Sequence, residues 1–154
     1  MAKRLFLNNI RSAHNVGAMF RTADGAGVER VYLGGYTPNP IDRFNRVQPE
    51  IMKTSLGACE TVGWEHVKRG DEVAALQKLQ ADGCTVVAVE QTPESISMYD
   101  YTVPKEVVYV LGNEIDGVEA AILEIADVVI EIPMEGAKES LNVATTAGIV
   151  LFTR

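Results

Sequence analysis

Short apolar runs rich in β-branched residues alternate along this sequence with segments whose apolar residues recur at helical spacing. Thr85–Val89 and Val107–Leu111 are runs of the kind that parallel sheets bury on both faces. Between two further predicted strands, Arg4–Asn8 and Val31–Leu33, apolar residues recur at the i, i+3, i+4, i+7 spacing of one helix face. This alternation predicts an α/β layered fold with a mainly parallel sheet, in one domain spanning residues 1–154.

The other elements are predicted from the same patterns. Further strands are expected at Trp64–Val67 and Val128–Ile132, and further helices at Asp71–Ala81 and around Val118–Ala126. The predicted loops are Gly34–Pro49 and Pro93–Pro104, which are rich in turn-forming residues. The terminal segment Leu141–Phe152 fits a helix or a strand. Asn15 is the expected N-cap of the first helix.

Charge is unevenly distributed along the chain, whose net charge is −7. Residues 1–70 carry ten Lys and Arg against six Asp and Glu, whereas residues 71–154 carry four against fifteen. A basic surface of the kind that nucleic acid requires can therefore come from the N-terminal part. A charge gradient without function fits the same counts, so composition alone leaves both interpretations open.

Neither a membrane nor a metal ion is indicated by the sequence. No apolar run is long enough to span a bilayer, and the N-terminus turns polar at Asn8 and Asn9, too soon for a secretory signal. We therefore expect a cytoplasmic protein. Cys59 and Cys84 have no His or Cys at ligand spacing, so two buried thiols are expected and not a metal site.

The first of three polar, glycine-containing segments is Asn15–Ala23, on the first predicted helix. Gly17 lies in its first turn, where glycine costs about 1 kcal/mol relative to alanine. A ligand or a chain segment that approaches closely over Gly17 would explain the missing side chain. Arg21 lies four residues later on the same face. It is either an ordinary solvated arginine or a group that meets that ligand.

The second segment, Gly112–Gly117, directly follows a predicted strand. Ligands of open α/β sheets bind beyond the carboxyl ends of the strands, which makes this segment a candidate ligand loop. Its spacing is not that of the dinucleotide fingerprint, and the chain has no Gly-Lys-Ser/Thr phosphate loop. The third segment comprises Ile132–Met134 and Ser140–Val143. A helix cap at Ser140 and a turn at Asn142 are its simplest explanations.

Together and in this order, the three segments resemble the motifs of the SpoU (TrmH-like) branch of the SPOUT RNA methyltransferases. The matching motifs are N-x-G-x-x-x-R-T-A at Asn15–Ala23, G-N-E-x-x-G at Gly112–Gly117, I-P-M at Ile132–Met134 and S-L-N-V at Ser140–Val143. The resemblance runs from about Leu5 to the C-terminus. It implies an α/β knot fold, whose C-terminal half ties a trefoil knot, and a homodimer that pairs through the first and last helices.

The resemblance also implies methyl transfer from S-adenosylmethionine to a ribose 2′-hydroxyl of RNA, with transfer RNA favoured over ribosomal RNA. The implied active-site residues are Asn15, Arg21, Glu114, Ser140 and Asn142. The methyl donor is expected against Val89, Glu90, Gln91, Leu111, Gly112, Gly117, Ile132, Met134 and Leu141. The expected phosphate contacts, in a chain too short for a separate RNA-binding domain, are Arg11, Arg43, Arg46 and Lys53. No metal is needed, because the donor carries its own positive sulfur.

Arg21 matches the catalytic arginine of the family. Because a guanidinium has a pKa above about 12, we expect Arg21 to stabilise developing alkoxide charge or to grip a substrate phosphate. Glu114 is expected to orient Arg21 or the knot backbone, and Ser140 and Asn142 to position the substrate and the arginine. Three alternatives stay open: methylation of a base, a non-catalytic RNA-binding protein with the same fold, and a flavodoxin-type nucleotide-binding module.

Overall fold

The computed structural model describes residues 1–154, and a seven-stranded sheet runs through its centre. The strands are β1 (Ala2–Asn8), β2 (Arg30–Gly34), β3 (Gly63–Val67), β4 (Thr85–Val89), β5 (Ile96–Ser97), β6 (Glu106–Leu111) and β7 (Val128–Glu131). The helices are α1 (Ala13–Gly25), α2 (Pro49–Ser55), α3 (Ala58–Thr61), α4 (Glu72–Ala81), α5 (Ala120–Ile125) and α6 (Val143–Phe152). None of these helices is long and apolar enough to cross a membrane.

The strands lie in the order β3-β2-β1-β6-β4-β7-β5, and every pair is parallel. The central pair is β1 and β6, with Ala2 opposite Glu106 and Leu7 opposite Leu111. From β1 the chain continues through α1 to β2 on one side, and from β6 it continues through α5 to β7 on the other. The carboxyl ends of β1 and β6 therefore form a topological switch point, where open α/β sheets bind their ligands.

Both faces of the sheet are buried. Leu5 and Leu7 of β1 face α1, α2, α3 and α6, whereas Phe6 between them faces α4 and α5. Alternate side chains of one strand thus enter different cores, and all three are fully buried. This explains why the central strands β4 and β6 are nearly continuous apolar runs and not alternating ones.

The predicted α/β fold with a parallel sheet is confirmed, and several local predictions are corrected. The N-cap of α1 is Ser12 and not Asn15, because the Ser12 hydroxyl accepts a hydrogen bond from the Asn15 N–H at 3.1 Å. The ambiguous terminal segment is the helix α6, which is capped by Asn142 and not by Ser140. The predicted loop Pro93–Pro104 contains β5 and a 3₁₀ turn, Met98–Asp100.

The missing side chain of Gly17 is explained by the chain itself and not by a ligand. A β-carbon built on Gly17 would lie 1.8 Å from Oγ1 of Thr54 and 2.8 Å from the carbonyl oxygen of Ile51, both in α2. The Thr54 hydroxyl in turn donates a hydrogen bond to the His14 carbonyl of α1 at 3.1 Å. Gly17 therefore lets α1 and α2 approach closely.

Candidate active site

A cavity of about 500 Å³ opens at the carboxyl ends of β4, β6 and β7. Its walls are the residues after β4, the Gly112–Gly117 loop, the segment after β7 and the start of α6. All nine residues expected to contact the methyl donor line this cavity, together with Glu114, Ser140 and Asn142. The second and third motif segments, which are distant in sequence, therefore share one cavity.

The cavity combines apolar and acidic side chains. Leu111, Ile132, Met134 and Leu141 contribute apolar surface, which suits a flat aromatic ring. Its charged lining residues are the carboxylates Glu90, Glu114, Asp116 and Glu131, and no Lys, Arg or His lines it. This lining favours a ligand with positive charge and disfavours the phosphates of a nucleotide.

Two glycines allow the Gly112–Gly117 loop to close on itself. The N–H of Asn113 donates to the Gly117 carbonyl at 3.1 Å, and the N–H of Gly117 donates to the Asn113 carbonyl at 2.9 Å. A β-carbon on Gly112 would lie 2.3 Å from the backbone of Gly117, which leaves no room for a side chain. Gly117 has a φ of +72°, a conformation that favours glycine.

A hydrogen-bond chain joins the three motif segments. Nδ2 of Asn142, at the start of α6, donates to Oδ1 of Asn15 in α1 at 3.4 Å. Nδ2 of Asn15 donates to Oε1 of Glu114 in the Gly112–Gly117 loop at 3.4 Å. Asn15 therefore touches both the loop and the α6 terminus, although it does not line the cavity.

Glu114 binds the backbone that leads into α1. Its carboxylate accepts hydrogen bonds from the N–H groups of Arg11 at 3.0 Å and Ser12 at 3.2 Å. Partial burial raises the pKa of Glu114, but these hydrogen bonds and the one from Asn15 outweigh burial, so the pKa lies below its usual value. Within the chain Glu114 does not contact Arg21; it fixes the entry to the helix that carries Arg21.

We expect Glu114→Gln to reduce the free energy of unfolding by about 1 kcal/mol at pH 7, because a charged acceptor is lost at a helix start but the site is partly exposed. Since folding lowers the pKa of Glu114, the charged group stabilises the fold above its unfolded pKa of about 4.3. This contribution is lost as the pH falls through the folded pKa. Urea unfolding of the wild type and Glu114→Gln at several pH values measures the difference, which should shrink in acid.

The control for this series is Glu124→Gln, which removes an exposed carboxylate on α5 that accepts no hydrogen bond within the chain. It should leave stability unchanged at every pH. A Glu114→Gln penalty that persists undiminished at pH 3 would contradict a role of the charge.

Asn113 is a site residue that the sequence analysis missed. Its buried Nδ2 donates to the Asn9 carbonyl at 2.9 Å and to the Tyr36 hydroxyl at 3.0 Å. Its Oδ1 accepts from the N–H groups of Ile115 and Asp116 at 2.8 and 2.9 Å. Asn113 thus forms the turn of the loop and ties it to the end of β1. The frequent use of Asn in such turns was the available signal.

The basic residues expected at the site lie outside the cavity. Arg21 is exposed on α1, makes no salt bridge and does not line the cavity. The four expected phosphate contacts are also exposed: Arg11, Arg43, Arg46 and Lys53. One chain therefore brings together Asn15, Glu114, Ser140 and Asn142, but it does not bring Arg21 to them.

The two cysteines lie apart from each other in the core. Cys59 and Cys84 are free, buried thiols, as the sequence predicts. No group of three or more His, Cys, Asp or Glu side chains is arranged to hold a metal ion.

Comparison with known proteins identifies the family. Residues 2–152 match the SpoU rRNA Methylase family. The chain is 34% identical over 147 residues to the 23S rRNA (guanosine-2′-O-)-methyltransferase RlmB of Neisseria meningitidis, covering 96% of this chain and 55% of the relative. It is 34% identical over 152 residues to the tRNA (guanosine(18)-2′-O)-methyltransferase of Aquifex aeolicus, covering 96% and 66%. The chain therefore belongs to the SpoU methylase family.

Solved structures agree with this assignment. The AdoMet-bound rRNA methyltransferase from Sinorhizobium meliloti superposes with a TM-score of 0.86 at 28% identity, over 98% of this chain and 54% of that one. The A. aeolicus TrmH/SpoU tRNA modifying enzyme gives 0.84 at 31% identity, over 97% and 72%. These matches confirm the predicted SPOUT-type fold, while the trefoil knot stays a prediction. The chain spans about half the length of the RlmB relative.

Proposed function

We propose that this chain transfers a methyl group from S-adenosylmethionine to the 2′-hydroxyl of a ribose in RNA. One observation carries the proposal. The three motif segments are joined by the Asn142–Asn15–Glu114 hydrogen bonds, and they lie beside a cavity of suitable size and charge. The guanosine 2′-O-methyltransferase names of two relatives at 34% identity support the reaction type.

The cavity residues fit the methyl donor. Leu111, Ile132, Met134 and Leu141 offer apolar surface to an adenine ring, and the four carboxylates favour a molecule with a sulfonium and an ammonium group. When bound, the donor would supply a methyl group on positive sulfur. The ribose 2′-oxygen would bond to the methyl carbon in line as the carbon–sulfur bond breaks and S-adenosylhomocysteine leaves, and the hydroxyl proton would pass to the adjacent phosphate of the substrate. Glu114 and Asn15 hold the Gly112–Gly117 loop and α1 in a fixed position relative to each other for this step.

Arg21 is the proposed catalytic residue, acting on the 2′-oxygen. Its guanidinium does not accept a proton, so it stabilises the negative charge that develops on the oxygen and grips the adjacent phosphate. The cavity has no basic residue of its own. A positive group must therefore come from outside it, and we propose Arg21 of the partner subunit in a homodimer.

The surface of α6 supports this dimer. The helix Val143–Phe152 carries no charged residue, and Phe152 and Leu141 remain 58% and 37% exposed. The helix packs beside α1, where the nearest atom to a β-carbon on Gly148 would be Cγ2 of Thr22 at 3.9 Å. An apolar surface formed by α6 and α1 would bring Arg21 to the edge of the interface.

Transfer RNA is the proposed substrate, in preference to ribosomal RNA. Relatives of both kinds are equally similar, but the chain covers more of the tRNA-modifying relative, 66% against 55%. The test is incubation with tritiated S-adenosylmethionine and separate tRNA and rRNA fractions, followed by nucleoside analysis. We expect a 2′-O-methylated nucleoside in tRNA. A base-methylated nucleoside would contradict the reaction, label in rRNA alone would contradict the substrate, and binding of RNA without label would indicate a non-catalytic protein.

A further inference from the structure

An exposed hairpin between β2 and α2, Ile41–Val47, presents an aromatic ring between arginines. Ile41 and Val47 form an antiparallel bridge, and Phe44 lies at the tip with 62% of its surface exposed. The guanidinium carbons of Arg43 and Arg46 lie 4.8 and 4.9 Å from the centroid of the phenyl ring. The ring and the two guanidinium groups form an exposed layer on which a flat, electron-rich ligand can stack.

Asp42 makes this hairpin a defined structure. Its Oδ1 accepts hydrogen bonds from the N–H groups of Phe44 and Arg46, both at 2.9 Å. Its Oδ2 accepts from Nε of Arg46 at 2.8 Å, and the Asp42 N–H donates to the Arg46 carbonyl at 2.9 Å. The pKa of Asp42 lies below its usual value because of these hydrogen bonds, the one from the Arg46 backbone above all. The backbone at the tip of the hairpin and the Arg46 side chain are therefore held in place before any ligand arrives.

The cavity and the loop that carries the hairpin both begin at the carboxyl ends of the strands. The loop that carries it leaves β2 at the carboxyl end and is anchored by the hydrogen bond between the Tyr36 hydroxyl and Asn113. Thr37 adds a second anchor through its hydroxyl, which donates to the Leu7 carbonyl at 2.9 Å and accepts from the Ile10 N–H. Phe44 is seven positions after Thr37 in the sequence, so its backbone lies within about 25 Å of this anchor.

We infer that the hairpin Ile41–Val47 binds an unpaired base of the RNA substrate near the nucleotide that is methylated. This inference rests on the proposed function in that the ligand is RNA. The base stacks on the layer formed by the phenyl ring and the guanidinium planes, and the arginines also meet the flanking phosphates. The Arg43 guanidinium can contact a phosphate, since it makes no salt bridge within the chain, whereas the Arg46 guanidinium is held by Asp42.

An unpaired base fits these residues better than a duplex or a protein does. In a duplex the faces of the bases are covered by their neighbours, so only the charges of the hairpin would find partners. The hairpin carries two arginines and one aspartate on a chain whose net charge is −7, so it offers local positive charge to a polyanion. The inference thus commits to looped or single-stranded RNA.

The test compares Phe44→Ala with Tyr99→Ala, which removes another exposed aromatic ring, beside β5 at the far edge of the sheet. The probes are a fluorescein-labelled unpaired 12-nucleotide RNA and the same strand annealed to its complement, with binding followed by anisotropy. Phe44→Ala should weaken binding of the unpaired strand by about 5- to 150-fold, since a stacked base contributes about 1–3 kcal/mol. Binding of the duplex should change less than about twofold.

Further variants separate stacking from charge. Phe44→Trp should retain affinity, and Phe44→Ala should retain the salt dependence of binding because no charge is lost. The double variant Arg43→Gln/Arg46→Gln should reduce that salt dependence. Tyr99→Ala should bind both probes like the wild type.

Several results would overturn the inference while leaving the proposed function intact. The first is that Phe44→Ala binds the unpaired strand with wild-type affinity, and the second is that it loses affinity equally for both probes. The third is a changed oligomeric state of Phe44→Ala in light scattering, which would indicate a protein contact. No binding of either probe by the wild type would also overturn it. Conversely, the wild type could bind RNA in a Phe44-dependent way and yet transfer no methyl group. That result would contradict the proposed enzymatic function and leave the inference about the hairpin intact.

Discussion

Gly112→Ala is expected to abolish binding of S-adenosylmethionine. The new β-carbon would lie 2.3 Å from the carbonyl carbon and oxygen of Gly117 and 2.4 Å from the nitrogen of Val118. These are backbone atoms, so no side-chain rotation relieves the overlap. The Gly112–Gly117 loop must open, and it forms one wall of the cavity proposed to bind the donor.

The expected loss of donor affinity is about 100-fold or more, since an overlap with backbone atoms lies at or above the upper end, about 3 kcal/mol, of the usual cost of overpacking and falls on the loop. Titration calorimetry with S-adenosylmethionine measures it, and circular dichroism checks that the fold remains. The matched control is Gly136→Ala, in the segment after β7, where a β-carbon meets nothing within 4 Å. This variant should bind the donor normally. Wild-type affinity of Gly112→Ala would exclude this cavity as the donor site.

The second large effect is expected from Arg21→Ala, which should lower the rate of methyl transfer by about 100- to 1000-fold, as loss of an electrostatic group in an active site commonly does. Donor binding should be unchanged, because Arg21 does not line the donor cavity. Transfer of tritium to tRNA gives the rate, and calorimetry gives the donor affinity. Arg30→Ala serves as the control, because it removes an exposed arginine at the amino end of β2, whereas the cavity lies at the carboxyl ends of the strands.

Mixing two inactive variants tests whether Arg21 acts across a dimer. In a mixed dimer of Arg21→Ala and Gly112→Ala, the intact cavity of the first subunit meets the intact arginine of the second. With random exchange of subunits, about one quarter of the wild-type activity should return, because half of the dimers then have one complete site of two. Absence of any recovery after verified exchange would place the function of Arg21 within its own subunit. Full activity of Arg21→Ala alone would remove the proposed role altogether.

Six of the seven strands could be predicted because each is a local pattern, whereas the two-residue β5 lies in a segment predicted as a loop. The predicted run Val107–Leu111 differs from β6 by one residue at its start. The short helices α2 and α3 escaped prediction, because seven and four residues are too few to display a helical period. The identity of the last helix was ambiguous for a related reason: α6 is apolar nearly all round, so its sequence has no face to detect.

The residues that line the cavity were predicted from the motif resemblance and not from periodicity. Every residue expected against the donor lines the cavity, but the contacts that hold the site together were not foreseen. Glu114 and Ser12 are 102 residues apart, and nothing in either local sequence indicates their hydrogen bond. Gly17 was recognised as unusual for a helix, yet its partner in α2 lies in a helix that was itself not predicted.

The bonds from Glu114 to Arg11 and Ser12 have a mechanical consequence. The carboxylate that forms part of the cavity wall also holds the backbone that leads into α1, so a displacement of the wall would shift the start of the helix. In the proposed dimer that helix delivers its arginine to the neighbouring cavity. Occupancy of one cavity would then bias the geometry of the other, which makes negative or positive coupling between the paired sites an expected property of the assembly.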